Sequence, residues 1–239
     1  MEVKTDAIVL RAIDYKESDR LLTLFTPLRG KVTAGIRGVR KPKAKLNFAS
    51  QPFCFAEYVL AEKGGRYTVT SAYLHDGFFA LRSDIVRYYA ACAMLEICDA
   101  LAMEEENCEG TFIALIEGLK NLSLTDEDPA ECLLSFAMQA LREGGYPIDL
   151  DGCGICGAEI GEKPCFDFEF GHFTCSSCSS GERASLSTYH TLRKCAGLDY
   201  EEAFLSDGKK RALRVIRAYL CQNTETEYPC FSEFIRLCE

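Results

Sequence analysis

The sequence predicts an α+β chain of more than one domain. A five-strand β module occupies residues 1–80, and a helical domain over 81–239 carries a four-cysteine insertion at 150–182. Three observations predict it. Short β-rich segments separated by turn residues fill the first 80 positions. Apolar residues recur at helical spacing from about Ala80 onward. Two C-x-x-C pairs interrupt that helical pattern.

The strands come first. KTDAIVLRAI has a β-rich centre, and RLLTLFT is short, apolar and stopped by Pro27. GKVTAGIRG alternates and is bounded by glycines. QPFCFAEYVLA is aromatic and follows a proline, and RYTVTSAYL follows the turn EKGG. Five short strands with the longest link between the third and fourth fit an OB-fold, a small barrel that often binds single-stranded nucleic acid. An SH3-like barrel has the same strand count and stays open. Among the aromatics Phe25, Phe53, Phe55, Tyr58 and Tyr67, alternation sends some inward. Tyr58 and Tyr67, whose hydroxyls tolerate water, are expected at the surface.

Helical spacing follows in LRSDIVRYYAACAMLEICDALAM, with Ile85, Tyr88, Tyr89, Cys92, Leu95 and Leu101 on one side. GTFIALIEGLKNL is a second helix. DPAECLLSFAMQALREGG is a third, with Asp128 as N-cap, Pro129 in the first turn and Gly144 as the stop. After the insertion come STYHTLRKCAGL, SDGKKRALRVIRAYLCQN and CFSEFIRLC, with Ser187 and Ser206 expected as N-caps.

Fourteen cysteines are many. Cys92, Cys98, Cys132, Cys195 and Cys221 sit in helical patterns, where a free thiol acts as a small hydrophobe. Four others stand apart. Cys153 and Cys156 lie in CGICG, Cys175 and Cys178 in CSSC, and 18 residues separate the pairs. Two residues between cysteines let both thiolates reach one metal, and two such turns complete a tetrahedron of sulfur. The pattern predicts a structural Zn2+ site, since four cysteine ligands leave no open position. Two redox C-x-x-C pairs are the competing reading. The second pair lacks a neighbouring cation and any thioredoxin-like βαβ context. Between the pairs, PCFDFEFGHFTC reads as a β-hairpin; Cys165 and His172 within it are expected to pack, not to ligate.

Charge divides the chain. The net charge is −9, yet residues 1–80 hold 13 basic and 8 acidic residues, leaving 14 and 28 for the remainder. The window from Arg29 to Lys45 contains Arg29, Lys31, Arg37, Arg40, Lys41, Lys43 and Lys45 and no acid. Such a run in an acidic protein points to a polyanion partner. Lys209, Lys210, Arg211, Arg214 and Arg217 form a second basic stretch, backed by Leu213, Ile216 and Leu220. It is a candidate surface for an acidic partner, with Lys210, Arg214 and Arg217 foremost. The alternative is a helix whose cations pair with their own domain's acids. No phosphate loop, GxSxG or HExxH pattern occurs, so the expectation is a non-enzyme. No apolar run approaches a membrane span and no signal peptide is evident, so a soluble, cytoplasmic protein without a membrane partner is expected.

SDRLLTLFTPLRGKVTAGIRGVRKPKAKLNFASQPF, the helical domain and the C-x-x-C…C-x-x-C insertion together resemble the RecO family of bacterial recombination mediators, over essentially the whole chain. The resemblance implies an OB-fold that binds single- and double-stranded DNA and anneals complementary strands. It implies binding to the C-terminal tail of single-strand DNA-binding protein and loading of RecA together with RecR, in the bacterial cytoplasm at the nucleoid. Carried over by position, the DNA-binding face is Arg37, Arg40, Lys41, Lys43 and Lys45, with Arg29 and Lys31 beside them. The chain departs from the family pattern at TETEYPCFSEF, before the last helix. A zinc-ribbon adaptor whose barrel binds protein or RNA is the competing function.

Overall fold

Alternation in the first 76 residues produces a closed barrel. The computed structural model describes residues 2–205 and 208–238. Strands β1 (Glu2–Tyr15), β2 (Asp19–Thr26), β3 (Gly30–Ile36), β4 (Phe55–Lys63) and β5 (Arg66–Asp76) close in the order β1-β2-β3-β5-β4. β1 pairs β4 with its first half and β2 with its second, and a register shift between Val9 and Arg11 bends it from one partner to the other. β3 runs parallel to β5 and antiparallel to β2. This is the OB-fold arrangement.

Along β3 the pattern is direct. Val32, Ala34 and Ile36 are buried in the barrel, while Lys31, Thr33 and Gly35 face out. Val9, Leu22, Leu24, Tyr58 and Leu60 fill the interior with them. Tyr58 corrects the surface expectation: its ring is fully buried, and its hydroxyl donates to the Ala49 carbonyl at 2.9 Å. Tyr67 also packs against this core, and its hydroxyl meets Arg29 Nη1 at 2.9 Å. Both take the inward phase of their strands, so the hydroxyl satisfies an internal or rim partner instead of water.

The link from β3 to β4 folds over one mouth of the barrel. Val39 and Ala49 are buried there, and Asn47 Nδ2 donates to the Val39 carbonyl at 2.9 Å. A 3-10 turn at Phe48–Ser50 supplies the lid. Residues 102–116 also belong to the barrel unit. β5 pairs β3 only from Ala34, which leaves the edge of Gly30–Thr33 open. Residues 103–105 fill it: the Lys31 amide donates to the Met103 carbonyl at 3.1 Å and the Glu105 amide to the Arg29 carbonyl at 3.0 Å. Gly30 sits at φ 55°, and a Cβ there would collide with the Met103 carbonyl. Phe112 then covers Phe25 and Phe55, with ring centroids 5.7 and 5.9 Å apart.

The second unit holds residues 81–101 and 117–239. Its helices are α1 (Ile85–Leu101), the C-terminal part of α2 (Glu109–Leu124), α3 (Pro129–Glu143), α4 (Leu186–Cys195), α5 (Gly208–Thr224) and α6 (Pro229–Leu237). Asp128 caps α3 by accepting from the Ala130 amide at 2.8 Å, and Gly144 ends it. For α4 the cap is Ser185, not Ser187. Ser185 is extended and its Oγ accepts the Thr188 amide at 3.2 Å, so Ser187 already lies inside the helix. Ser206 lies outside the described residues. No helix among them is long and apolar enough to cross a membrane.

The insertion between α3 and α4 forms a small sheet in the order β7-β6-β8, from β6 (Cys165–Asp167), β7 (His172–Thr174) and β8 (Glu182–Arg183). Its hairpin pairs Cys165 with Thr174 and Phe166 with Phe173. Aromatic edges dock it on the helices. Phe173 meets Tyr189 of α4 at 5.1 Å, and Phe166 meets Tyr219 of α5 at 5.7 Å.

Candidate functional site

Two turns bring the four spaced cysteines together. In the first, the Cys153 amide donates to Ala158 O at 2.8 Å and the Gly157 amide to Cys153 O at 2.7 Å, with Gly157 at φ 72°. In the second, the Ser179 amide donates to Cys175 O at 2.8 Å, with Ser179 at φ 46°. The Gly154 amide reaches Phe173 O at 2.9 Å and ties the first turn to the hairpin. The sulfurs of Cys153, Cys156, Cys175 and Cys178 all lie within 4.8 Å of one another, a donor set for a metal ion. Cys156 and Cys175 are 3.7 Å apart, and no cysteine is in a disulfide.

Their electrostatics fit a cation. The Cys175 amide donates to Cys153 Sγ at 3.3 Å, and this bond lowers the Cys153 thiol to about 6. Thiol hydrogen bonds with Cys156 and Cys175 push Cys178 up to about 12. One thiolate forms readily and the next is opposed, so a bound cation would stabilise a full set. Cys165 and His172 stand outside this set. Cys165 is buried in β6. His172 lies against Gly154, where a Cβ would strike the imidazole, and its buried Nε2 has no hydrogen-bond partner among the described residues.

The basic run is split by the barrel. Arg29 and Lys31 lie at the start of β3, half-buried, while Arg37 follows its end. Six residue steps of ~3.3 Å put these ends ~20 Å apart. Arg37, Arg40, Lys41, Lys43 and Lys45 sit together on the link and are exposed. The link is not a loose loop: the Arg40 amide donates to Ser18 O at 3.0 Å, and the Gly38 amide to Asp19 Oδ1 at 2.8 Å. Arg40 itself pairs with Asp14 at 3.2 Å. Among the described residues, Arg37, Lys41, Lys43 and Lys45 form no ion pair.

That anchoring brings in two residues that charge counting passed over. The β1–β2 turn places Lys16, at φ 55°, with its amine 5.1 Å from the Tyr15 ring centroid. Arg40 also reaches toward the Lys16 and Glu17 carbonyls at 3.4 Å. The signal that could have found them is the single polar turn YKES, flanked by β-rich segments.

Comparison with known proteins now adds the family. Residues 1–78 match the family model described as Recombination protein O N terminal, and residues 82–229 match Recombination protein O C terminal. The chain belongs to the RecO family. Among its relatives named DNA repair protein RecO, that of Desulforamulus reducens is 33% identical over 184 residues, covering 77% of this chain and 71% of its own. The Myxococcus xanthus relative is 34% identical over 182 residues, covering 76% and 74%. The Clostridium novyi relative is 29% identical over 230 residues, covering 92% and 88%.

The second basic stretch of this RecO chain has a different environment. Lys209 pairs with Asp128 and with Glu131 at 3.0 Å. Lys194 of α4 pairs with Glu131 at 2.8 Å. Burial opposes ionisation of Glu131, yet the hydrogen bonds from Lys194 and Lys209 hold its carboxyl below the usual value. Arg217 donates to Ser232 Oγ at 2.6 Å and pairs with Glu227 at 3.5 Å. Lys210, Arg211 and Arg214 are exposed on the same helix.

Proposed function

We propose that this chain is a recombination mediator that binds single- and double-stranded DNA and anneals complementary strands. It does so without a catalytic centre. With RecR it helps load RecA onto DNA covered by single-strand DNA-binding protein, at the nucleoid in the bacterial cytoplasm. One observation carries the DNA-binding reading: Arg37, Lys41, Lys43 and Lys45 are exposed on an anchored link and are not neutralised by ion pairs among the described residues. Membership in a family whose relatives are named DNA repair proteins supports it.

The physics of annealing follows from the charges. Two strands repel through their phosphates. Cations on the link displace counterions from each, which favours binding without reading sequence. Arg29 and Lys31, at the far end of β3, extend the same surface along the strand. On the helical unit, Lys210, Arg214 and Arg217 would receive the acidic tail of single-strand DNA-binding protein.

The metal is zinc in this reading. Tetrahedral Zn–S bonds of ~2.3 Å set sulfurs about 3.8 Å apart, and Cys156 and Cys175 stand at 3.7 Å. Four thiolates leave the ion no open position, so it holds the two turns together and takes no part in chemistry.

A strand-annealing assay on purified protein without ATP tests the function. Annealing well above the spontaneous rate is expected. Repeating it on strands coated with single-strand DNA-binding protein lacking its acidic tail should slow the reaction. Annealing at the spontaneous rate would overturn the mediator reading and favour a zinc-ribbon adaptor. Equal rates with and without the tail would remove α5 as its receptor.

A further inference from the structure

Two half-buried thiols meet where the last helix packs on α1. Cys92 lies on α1 and Cys230 in the first turn of α6. The two thiols share a hydrogen bond, and the Tyr88 hydroxyl, one turn earlier on α1, bonds the Cys92 sulfur. Cys230 falls in TETEYPCFSEF, where the chain departs from the RecO pattern, and just beyond the residues that match the family model.

Glu96 fixes the meeting. Pro229 has no N–H to satisfy, and the Tyr228 side chain does not cap α6. The first free amides of the helix turn to α1 instead. Cys230 N–H donates to the Glu96 carboxylate at 2.9 Å and Phe231 N–H donates to it at 3.1 Å. Glu96 stands one turn beyond Cys92, so the capping carboxylate and the thiol share one face of α1. The backbone of Cys230 is therefore held beside Cys92.

The same carboxylate sorts the two sulfurs. A cysteine in the first turn of a helix ordinarily gains acidity from the positive helix end. Here Glu96 occupies that end. Hydrogen bonding to Cys92, burial and the Glu96 charge push the Cys230 thiol up. The bond from Cys230, joined by that from Tyr88, brings the Cys92 thiol below its ordinary value against burial and Glu96. A thiolate-forming cysteine beside a protonated partner is the arrangement of an oxidation-sensitive pair, with one sulfur to react and one to resolve.

We infer that Cys92 is a site of oxidation by hydroperoxides and that Cys230 resolves it, closing a disulfide that staples α6 to α1. The Cys92 thiolate attacks a peroxide oxygen. An S–O bond forms, the O–O bond breaks, and hydroxide leaves as water with the proton that Cys92 gave up. The Cys230 sulfur then attacks the Cys92 sulfenic acid. The S–S bond forms, the S–O bond breaks, and hydroxide leaves as a second water with the Cys230 proton. Two thiols are oxidised and one peroxide is reduced. A dithiol reductant reverses the step by exchange and ends as a disulfide itself.

Peptide mapping of the metal-loaded full chain after hydrogen peroxide tests this. The expected map holds a peptide that joins Cys92 to Cys230, with loss of iodoacetamide labelling at both and recovery on dithiothreitol. Hydrogen exchange over residues 229–237 should slow in the oxidised protein. In Cys230→Ser, dimedone should trap a sulfenic acid on Cys92; in Cys92→Ser, Cys230 should stay unmodified. Full labelling of both cysteines in treated wild type overturns the proposal, as does unchanged exchange over α6 in the linked protein. Dimedone on Cys230 but not on Cys92 overturns the assignment of the reacting sulfur. The wild-type map needs no variant, so it decides alone if either serine protein fails to fold.

Discussion

The chain carries two basic stretches that look alike in sequence and differ in surroundings. On the barrel, the link from Arg37 to Lys45 is tied down by its backbone, through Ser18 and Asp19, and its cations point outward. On the helical unit, Lys209 meets Asp128 and Glu131 from the start of α3, and Arg217 meets Glu227. The first arrangement leaves charge available to a polyanion. The second spends part of it inside the domain. A run of cations therefore means something only once the nearest carboxylates are placed.

The largest effect expected concerns what holds the helical unit. Metal binding to closed cysteine sites is worth ~10–16 kcal/mol in zinc-finger peptides, so stripping the ion should melt residues 150–182. Native mass spectrometry should show the mass of a bound zinc ion. After chelation, hydrogen exchange across the segment should lose its protection while the barrel strands keep theirs. A metal-free chain with full protection at Cys153–Cys178 would break the proposed contrast between a barrel closed by its own ladder and a knuckle that needs an ion to close.

A smaller effect sharpens the ion-pair side. Lys209→Ala removes two partly exposed pairs and should cost about 0.5–1 kcal/mol at neutral pH, read as a lower thermal midpoint. The carboxyls of Asp128 and Glu131 are held below their ordinary values of 3.8 and 4.5, with burial opposing and the lysine hydrogen bonds winning. A depressed carboxyl stabilises the fold above its unfolded value and loses that contribution as pH falls through its folded one. The difference between variant and wild type should thus be full above pH 4.5 and shrink on acidification below it. A difference that persists undiminished in acid would assign the effect to lost packing of the lysine stem.

Much of this was legible beforehand, for local reasons. GKVTAGI shows its inner and outer faces by alternation alone, and Asp128-Pro129 announces α3 by capping chemistry. The two C-x-x-C pairs converge because each turn is local and one hairpin joins them. What stayed hidden depends on distant partners. Tyr58 and Tyr67 turn inward because the phase of their strands is set by barrel closure. Residues 103–105 return to β3 because β5 leaves an edge open, which no local pattern reveals. Arg29 and Lys31 are near Arg37 in sequence and a strand length away in space. Arg40, grouped with the other link cations by sequence, holds Asp14.

The most direct test is the salt dependence of single-strand binding, wild type against Arg37/Lys41/Lys43→Ala, leaving the anchored Arg40 in place. Each lost phosphate contact lowers the slope of log affinity against log salt by about 0.7, so three should lower it by about 2. A shallower slope of that size, with the thermal midpoint unchanged, is the predicted result. Identical slopes in a folded variant would contradict the claim that this link grips the phosphates.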